Sequence, residues 1–294
     1  MRGGRVAAVL AVAVLAGCGG QGGAPVAAPD TTEQVRAQAR AALTRYDEAV
    51  ARAGEPRRFI PVEQLTGLRG STDEKSGGLG AGLAVATGPL PGAPAATGRV
   101  RWADGSTEAV PLIGAGEALA QMSAQGAVDC AGCTPARVTG ARLVQVDIGT
   151  TRGRATAPAW EFTVEGADAR LTRVAVGPAR TVVVTPPSWD PYDTPAGIGV
   201  ESATTTAAGT ELTVSLVGSR GPASEPCGAD YAAEAVESAA AVVVIVHETR
   251  HSADDVCPAI GHARTAVARL ARPLGERSVL EVREGRPVPV TITR

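Results

Sequence analysis

The chain has 294 residues, 44% of them hydrophobic and only 3% aromatic, with a formal net charge of −2 at pH 7. Near-neutral charge excludes a basic nucleic-acid surface, so no nucleic-acid partner is expected. Three Trp, three Tyr and two Phe are too few for sugar or base recognition built on stacking.

In chain order, Arg2 and Arg5 precede Val6 to Leu15, an unbroken apolar run of about ten residues. That is the length of a signal-peptide core, half of the roughly 20 residues that a membrane span needs. Ala16 and Gly17 are small and Cys18 follows directly, so Leu15-Ala16-Gly17-Cys18 resembles a bacterial lipobox. The expectation is a lipoprotein signal peptide over 1–17 and palmitate-type acylation of Cys18. Two or more chains, at ~0.8 kcal/mol per buried methylene, anchor a protein stably. The expected location is therefore the extracytoplasmic face of the cell membrane, held through a lipid anchor. About 277 residues remain, enough for two domains with real cores.

Residues 18–30 are rich in Gly, Ala and Pro and read as a flexible tether. Over 31–54 the spacing of Val35, Ala39, Ala42, Leu43, Tyr46, Ala49 and Val50 predicts a helix. Asp30 and Glu33 stand at capping-box spacing at its start, and Gly54 can end it. Residues 55–185 read as a β-rich domain with one short helix. Phe59, Ile60, Val62 and Leu65 are candidates to tuck under a sheet. Leu83 to Ala86 reads as a strand, and Arg99–Trp102 with Thr107–Ile113 as a hairpin turning at Asp104-Gly105. Glu117 to Gln125 fits the helix. Ala141–Asp147, Trp160–Val164, Leu171–Val176 and Thr181–Val184 continue the β pattern, with Trp160 beside Phe162 expected in the core.

Pro186, Pro187, Pro191 and Pro195 mark a linker over 186–196. Beyond it, 197–294 carries predicted strands at Gly199–Thr204, Glu211–Val217, Ala239–Val246, Arg264–Ala271, Val279–Val282 and Val288–Ile292. Several alternate apolar and polar residues, as in Leu212, Val214 and Leu216 against Thr213 and Ser215. The expected class is α+β, mainly β, with an antiparallel β-sandwich at the C-terminus.

Four cysteines follow Cys18: Cys130, Cys133, Cys227 and Cys257. In an exported chain this implies two disulfides. Three pairings are possible, and proximity favours Cys130–Cys133 with Cys227–Cys257. Cys130-Ala-Gly-Cys133 runs into Thr134-Pro135 and a β pattern instead of a helix, so a structural bridge is expected there and not a redox pair.

One motif carries possible chemistry. His247-Glu248-Thr249-Arg250-His251 matches HExxH, which on a helix aims two imidazoles at one zinc while the Glu polarises a bound water. His262 is the remaining histidine and a candidate third ligand. Against this, Val242 to Val246 is a β-branched run suited to a strand. Arg250 is a charge before the second His, and Cys257 stands where a third His would be. The expected state of 247–251 is a solvated loop at a strand end. No GxSxG, SxxK, phosphate loop, dinucleotide fingerprint or calcium loop occurs, and no cofactor is implied.

Two sets of residues carry a family resemblance. One is Cys130-Ala-Gly-Cys133-Thr-Pro135 with Pro158-Ala-Trp160-Glu-Phe162. The other is Cys227-Gly228-Ala-Asp-Tyr231, the Val242–Val246 run, Cys257, Pro273-Leu-Gly275-Glu-Arg277 and Gly285-Arg-Pro-Val288. Together they resemble uncharacterised actinobacterial lipoproteins. The resemblance implies an exported scaffold and assigns no catalytic residue.

The functional expectation is a non-catalytic binding or scaffold role at the cell envelope, with an envelope protein as possible partner. The alternatives are a zinc peptidase, using His247, His251 and His262 as ligands with Glu248 as base, and a solute-binding receptor.

Overall fold

The computed structural model describes residues 30–54, 59–69, 83–94, 97–126, 134–187, 195–253 and 256–293. Cys18, the tether and the Cys130–Cys133 pair lie outside the described residues. The protein is α+β and mainly β, with 46% strand and 14% helix. No described helix is long and apolar enough to cross a membrane.

The elements in order are α1 (Asp30–Arg52), β1 (Thr66–Arg69), β2 (Ala84–Ala86), β3 (Gly98–Trp102), β4 (Thr107–Val110), α2 (Ala115–Gly126), β5 (Ala136–Thr150), β6 (Gly153–Val164) and β7 (Arg170–Val174). After residue 195 come β8 (Val200–Thr206), β9 (Glu211–Gly218), β10 (Ala229–Glu237), β11 (Ala241–Arg250), β12 (His262–Arg269), β13 (Ser278–Glu281) and β14 (Val290–Thr293).

Strands β1 to β7 form one sheet around the long β5–β6 hairpin. The free edge of β6 is shared, with Ala159–Thr163 pairing β7 and Ala155–Thr156 pairing β3. Helix α2 lays Ala118, Leu119 and Met122 on Trp160, Phe162 and Leu171. Trp160 is core as expected, and its indole N–H donates to the Ile113 carbonyl at 2.9 Å. A second cluster unites Phe59 with Val100, Trp102 and Ile148, so the 59–65 segment does tuck in. The β3–β4 hairpin turns at Asp104-Gly105, where Ser106 N–H donates to Asp104 Oδ1 at 2.8 Å.

The C-terminal strands make two sheets, β10-β11-β13 and β12-β9-β8-β14, packed face to face. Most pairings are antiparallel, but β13 joins β11 and β14 joins β8 in parallel. Helix α1 forms a third layer. Its stripe of Val35, Ala39, Ala42, Leu43, Tyr46 and Ala49 packs on Ala241, Val243, Ile245, Leu280 and Val282. The small alanines let the helix lie close to the sheet. Meanwhile Val242, Val244 and Val246 face Leu212, Val214, Leu216, Ala266 and Ala268 of the opposite sheet. Strand β11 is thus covered on both sides, which explains why its sequence is an apolar run instead of an alternation.

Polar latches hold α1 along its length. Arg36 forms two 2.9 Å bonds to Glu234, Tyr46 Oη lies 2.6 Å from Ser278 Oγ, and Ser238 Oγ donates to Asp47 at 3.1 Å. The helix ends as anticipated, with Gly54 at φ 67°.

Two expectations fail. Thr181–Val184 forms no strand, only a single bridge from Thr181 to Phe59. Strand β11 does not stop at Val246 but continues through His247 to Arg250. The solvated loop is replaced by strand because Ala229–Ala232 of β10 pairs with those four residues. Strand β10 itself went unforeseen: Ala-Asp-Tyr-Ala-Ala-Glu-Ala-Val-Glu favours helix locally, and pairing with β11 overrides that propensity.

Candidate functional site

The HExxH residues would make a zinc site only on a helix. On β11, His247 and Glu248 leave opposite faces of the sheet. His247 points to the α1 side, where Nε2 lies 3.1 Å from Glu234 Oε2, and Glu234 is the carboxylate that Arg36 holds. The Arg36 hydrogen bonds, with help from His247, hold the Glu234 carboxyl below its ordinary range against the upward push of partial burial.

Glu248 points to the inter-sheet side. Tyr231, its direct cross-strand partner, donates its hydroxyl proton to Oε1 at 3.0 Å, and Arg250 Nε donates to Oε2 at 2.6 Å. The Tyr231 oxygen also accepts Ser219 N–H at 2.7 Å, and its ring lies under the Arg264 guanidinium at 5.1 Å. His251 has left the strand, and its Nδ1 is 2.9 Å from the Ala223 carbonyl oxygen. At ~3.3 Å per residue, positions four apart on a strand are separated by about 13 Å, too far to share one ion. His262 begins β12, opposite Gly218. Among the described residues no group of three or more His, Cys, Asp or Glu converges as a metal site.

These contacts instead brace one end of the sandwich. The β9–β10 connection, 219–228, and the β11–β12 connection meet there. The Cys227–Cys257 disulfide joins them as sequence proximity suggested, with Cα atoms 5.6 Å apart. Arg264 donates to the carbonyls of Ser219, Gly221 and Ala229, and His251 N–H to Gly228. The stapled loop 256–261 is apolar and exposed, with Val256 at 99% and Ile260 at 65%. Its Gly261 lies against Val217.

Val217, on the outward-facing side of β9, also belongs to a cleft of about 660 Å³ whose lining comes from both sheets. One wall is 195–201, leading into β8; the other is the turn after β13, with Glu281, Arg283 and Glu284. Helix α1 ties both walls together, since Gln38 Nε2 donates to Ala196 O at 3.1 Å and Val282 O at 2.8 Å. Two glycines make the close fit possible. Gly197 has φ +98° and a Cβ there would meet Val282 at 2.7 Å; Gly285 has φ +72° and its Cβ would meet Ala42 at 2.9 Å.

The charges in the cleft differ in their state. Glu281 is occupied by its own turn, accepting N–H bonds from Arg283 at 2.8 Å and Glu284 at 2.6 Å. Glu284 pairs with Arg286 at 2.8 Å. The side chains of Glu201 and Arg283 have no hydrogen-bond or ion-pair partner among the described residues.

Sequence reasoning did not anticipate this cleft. The local signals were the Gly197-Ile-Gly199 alternation after the proline cluster and the Arg283-Glu-Gly-Arg286 turn. Neither reveals that segments some 80 residues apart face each other. Comparison with protein-family models, curated proteins and solved structures returns no match for this chain.

Proposed function

We infer that the chain is a lipid-anchored protein of the extracytoplasmic membrane face that acts by binding, with the open end of the C-terminal sandwich as its ligand-facing surface. The observation that carries this reading is the seam cleft, whose walls are fixed by α1 and whose charges Glu201 and Arg283 are left without partners. The lipobox at 15–18 and a disulfide suited to an oxidising compartment support the location. The resemblance to actinobacterial lipoproteins points the same way. The zinc-peptidase alternative draws no support from His247 and Glu248, which face opposite sides of a strand. The same cleft gives the solute-receptor alternative a specific foothold.

Membrane fractionation with alkyne-palmitate labelling tests the anchor. The expected result is a labelled, membrane-bound chain, with Cys18→Ala unlabelled and released. Retention of the unlabelled variant on membranes would overturn it. Partner capture should use a photo-reactive residue at Val217, because Lys75 is the only lysine and amine crosslinkers have little to react with.

A further inference from the structure

We propose that the seam cleft binds a short peptide with free termini, Glu201 receiving its ammonium group and Arg283 its carboxylate. This rests on the binding reading above. Among the described residues four charged side chains line the cleft, and two are already engaged, Glu281 by backbone N–H groups and Glu284 by Arg286. What remains is one carboxylate and one guanidinium. They stand on different walls, Glu201 at the start of β8 and Arg283 in the turn after β13, so a ligand that meets both spans the seam.

Opposite unpaired charges in one cleft complement a ligand with one charge of each sign. A purely cationic ligand leaves Arg283 unmatched, and a purely anionic one leaves Glu201 unmatched. The rest of the lining favours a peptide over a single amino acid. The backbone at 197–199 lines the cleft, precedes β8 and belongs to no strand ladder, so it can offer N–H and C=O groups to peptide amides. Ile198 and Val217 supply apolar contact. The volume of about 660 Å³ falls within the range of small-ligand sites and exceeds what one amino acid fills.

The test is calorimetric titration of the full chain, as purified from membranes or from whichever fraction contains it. The probes are the tripeptide Ala-Leu-Ala with free termini, its N-acetyl form and its C-amide form. Saturable binding of the free tripeptide is expected, with each blocked form weaker by about tenfold or more. Glu201→Gln should abolish discrimination against the acetyl form alone, and Arg283→Gln discrimination against the amide alone. A loss of fold would erase both together, so the crossed pattern reports the assigned roles. Gly199→Leu fills the cleft: its φ is not in the left-handed region, and its Cβ would sit in ordinary contact 3.9 Å from Arg283 Cδ. It should remove binding and leave the unfolding midpoint in place.

Equal affinity for free and blocked peptides, an uncrossed pattern, or no saturable binding up to about 5 mM would overturn the assignment. Anchoring without peptide binding removes this inference alone. Peptide binding by an unanchored chain removes the proposed location alone.

Discussion

The two ends of the C-terminal sandwich use arginine and glutamate in opposite ways. At the closed end, Arg277 is 4% exposed and donates to the carbonyls of Arg272, Pro273 and Leu274 at 2.9 to 3.1 Å, while pairing with Glu237. Partial burial pushes the Glu237 carboxyl up, but the Arg277 bonds and the Ala271 N–H outweigh it, and the group ends below its ordinary range. At the open end, Arg283 and Glu201 line a cleft with no partner among the described residues. A guanidinium whose donors are spent on carbonyls holds a loop in place. One left facing a cleft is available to something from outside.

The largest expected effect breaks the closed end. Arg277→Met leaves Glu237 without its buried partner and frees three carbonyls of the 272–274 loop. The expected cost is about 3–5 kcal/mol, read by urea unfolding. Arg277→Lys should rescue little, because an ammonium cannot reproduce the planar fan of donors. A loss under about 1 kcal/mol would show that this end does not depend on the cluster.

Removing the Cys227–Cys257 bridge sharpens the comparison from the other side. The closed loop of about 31 residues corresponds to roughly 3.7 kcal/mol on the chain-entropy account, an upper figure for Cys227→Ser with Cys257→Ser. Amide exchange should quicken at 219–228 and 256–261 and stay slow at 237–241 and 270–278. Uniform quickening would mean that the two ends are not separate units of stability.

How much of this was legible depended on how local each signal was. The stripe from Val35 to Ala49 and the run from Val242 to Val246 are local patterns, and each became the element its spacing implied. The Cys227–Cys257 pairing was legible from proximity. Strand β10 was hidden because its Ala- and Glu-rich sequence prefers helix, and only the unpaired edge of β11 makes it a strand. The loop expected at 247–251 failed for the same reason: the β-branched run announced a strand, but its continuation, which puts His247 and Glu248 on opposite faces, depends on pairing with β10. The cleft was least legible, since Glu201 and Arg283 come to line one cleft only through the packing of two sheets and the Gln38 tie.

A smaller effect tests the third layer. The folded state holds the Glu234 carboxyl below its unfolded value, chiefly through Arg36 and then through His247. A lowered carboxylate contributes stability that is present above the unfolded pKa and lost as pH falls through the folded one. With side chains 41% and 32% exposed, the Arg36–Glu234 pair is screened by solvent, so its contribution should be small. Glu234→Gln should therefore be slightly less stable than the parent near neutral pH, with the gap closing in acid. A gap that persists at low pH would assign the effect to packing and not to the ion pair.

The smallest effect is also the most diagnostic for the two ends. Glu201→Gln and Arg283→Gln should each change unfolding free energy by no more than about 0.5 kcal/mol. Neither side chain has a hydrogen-bond or ion-pair partner among the described residues, so neutralising one orphans no buried group. The contrast with Arg277 is the point of the measurement, because each substitution removes a guanidinium, one buried among carbonyls at the closed end and one lining the cleft at the open end. If Arg283→Gln costs as much as about 2 kcal/mol, its guanidinium holds the turn to the cleft wall. The open end would then be a second structural seal, with no charge left over for a ligand.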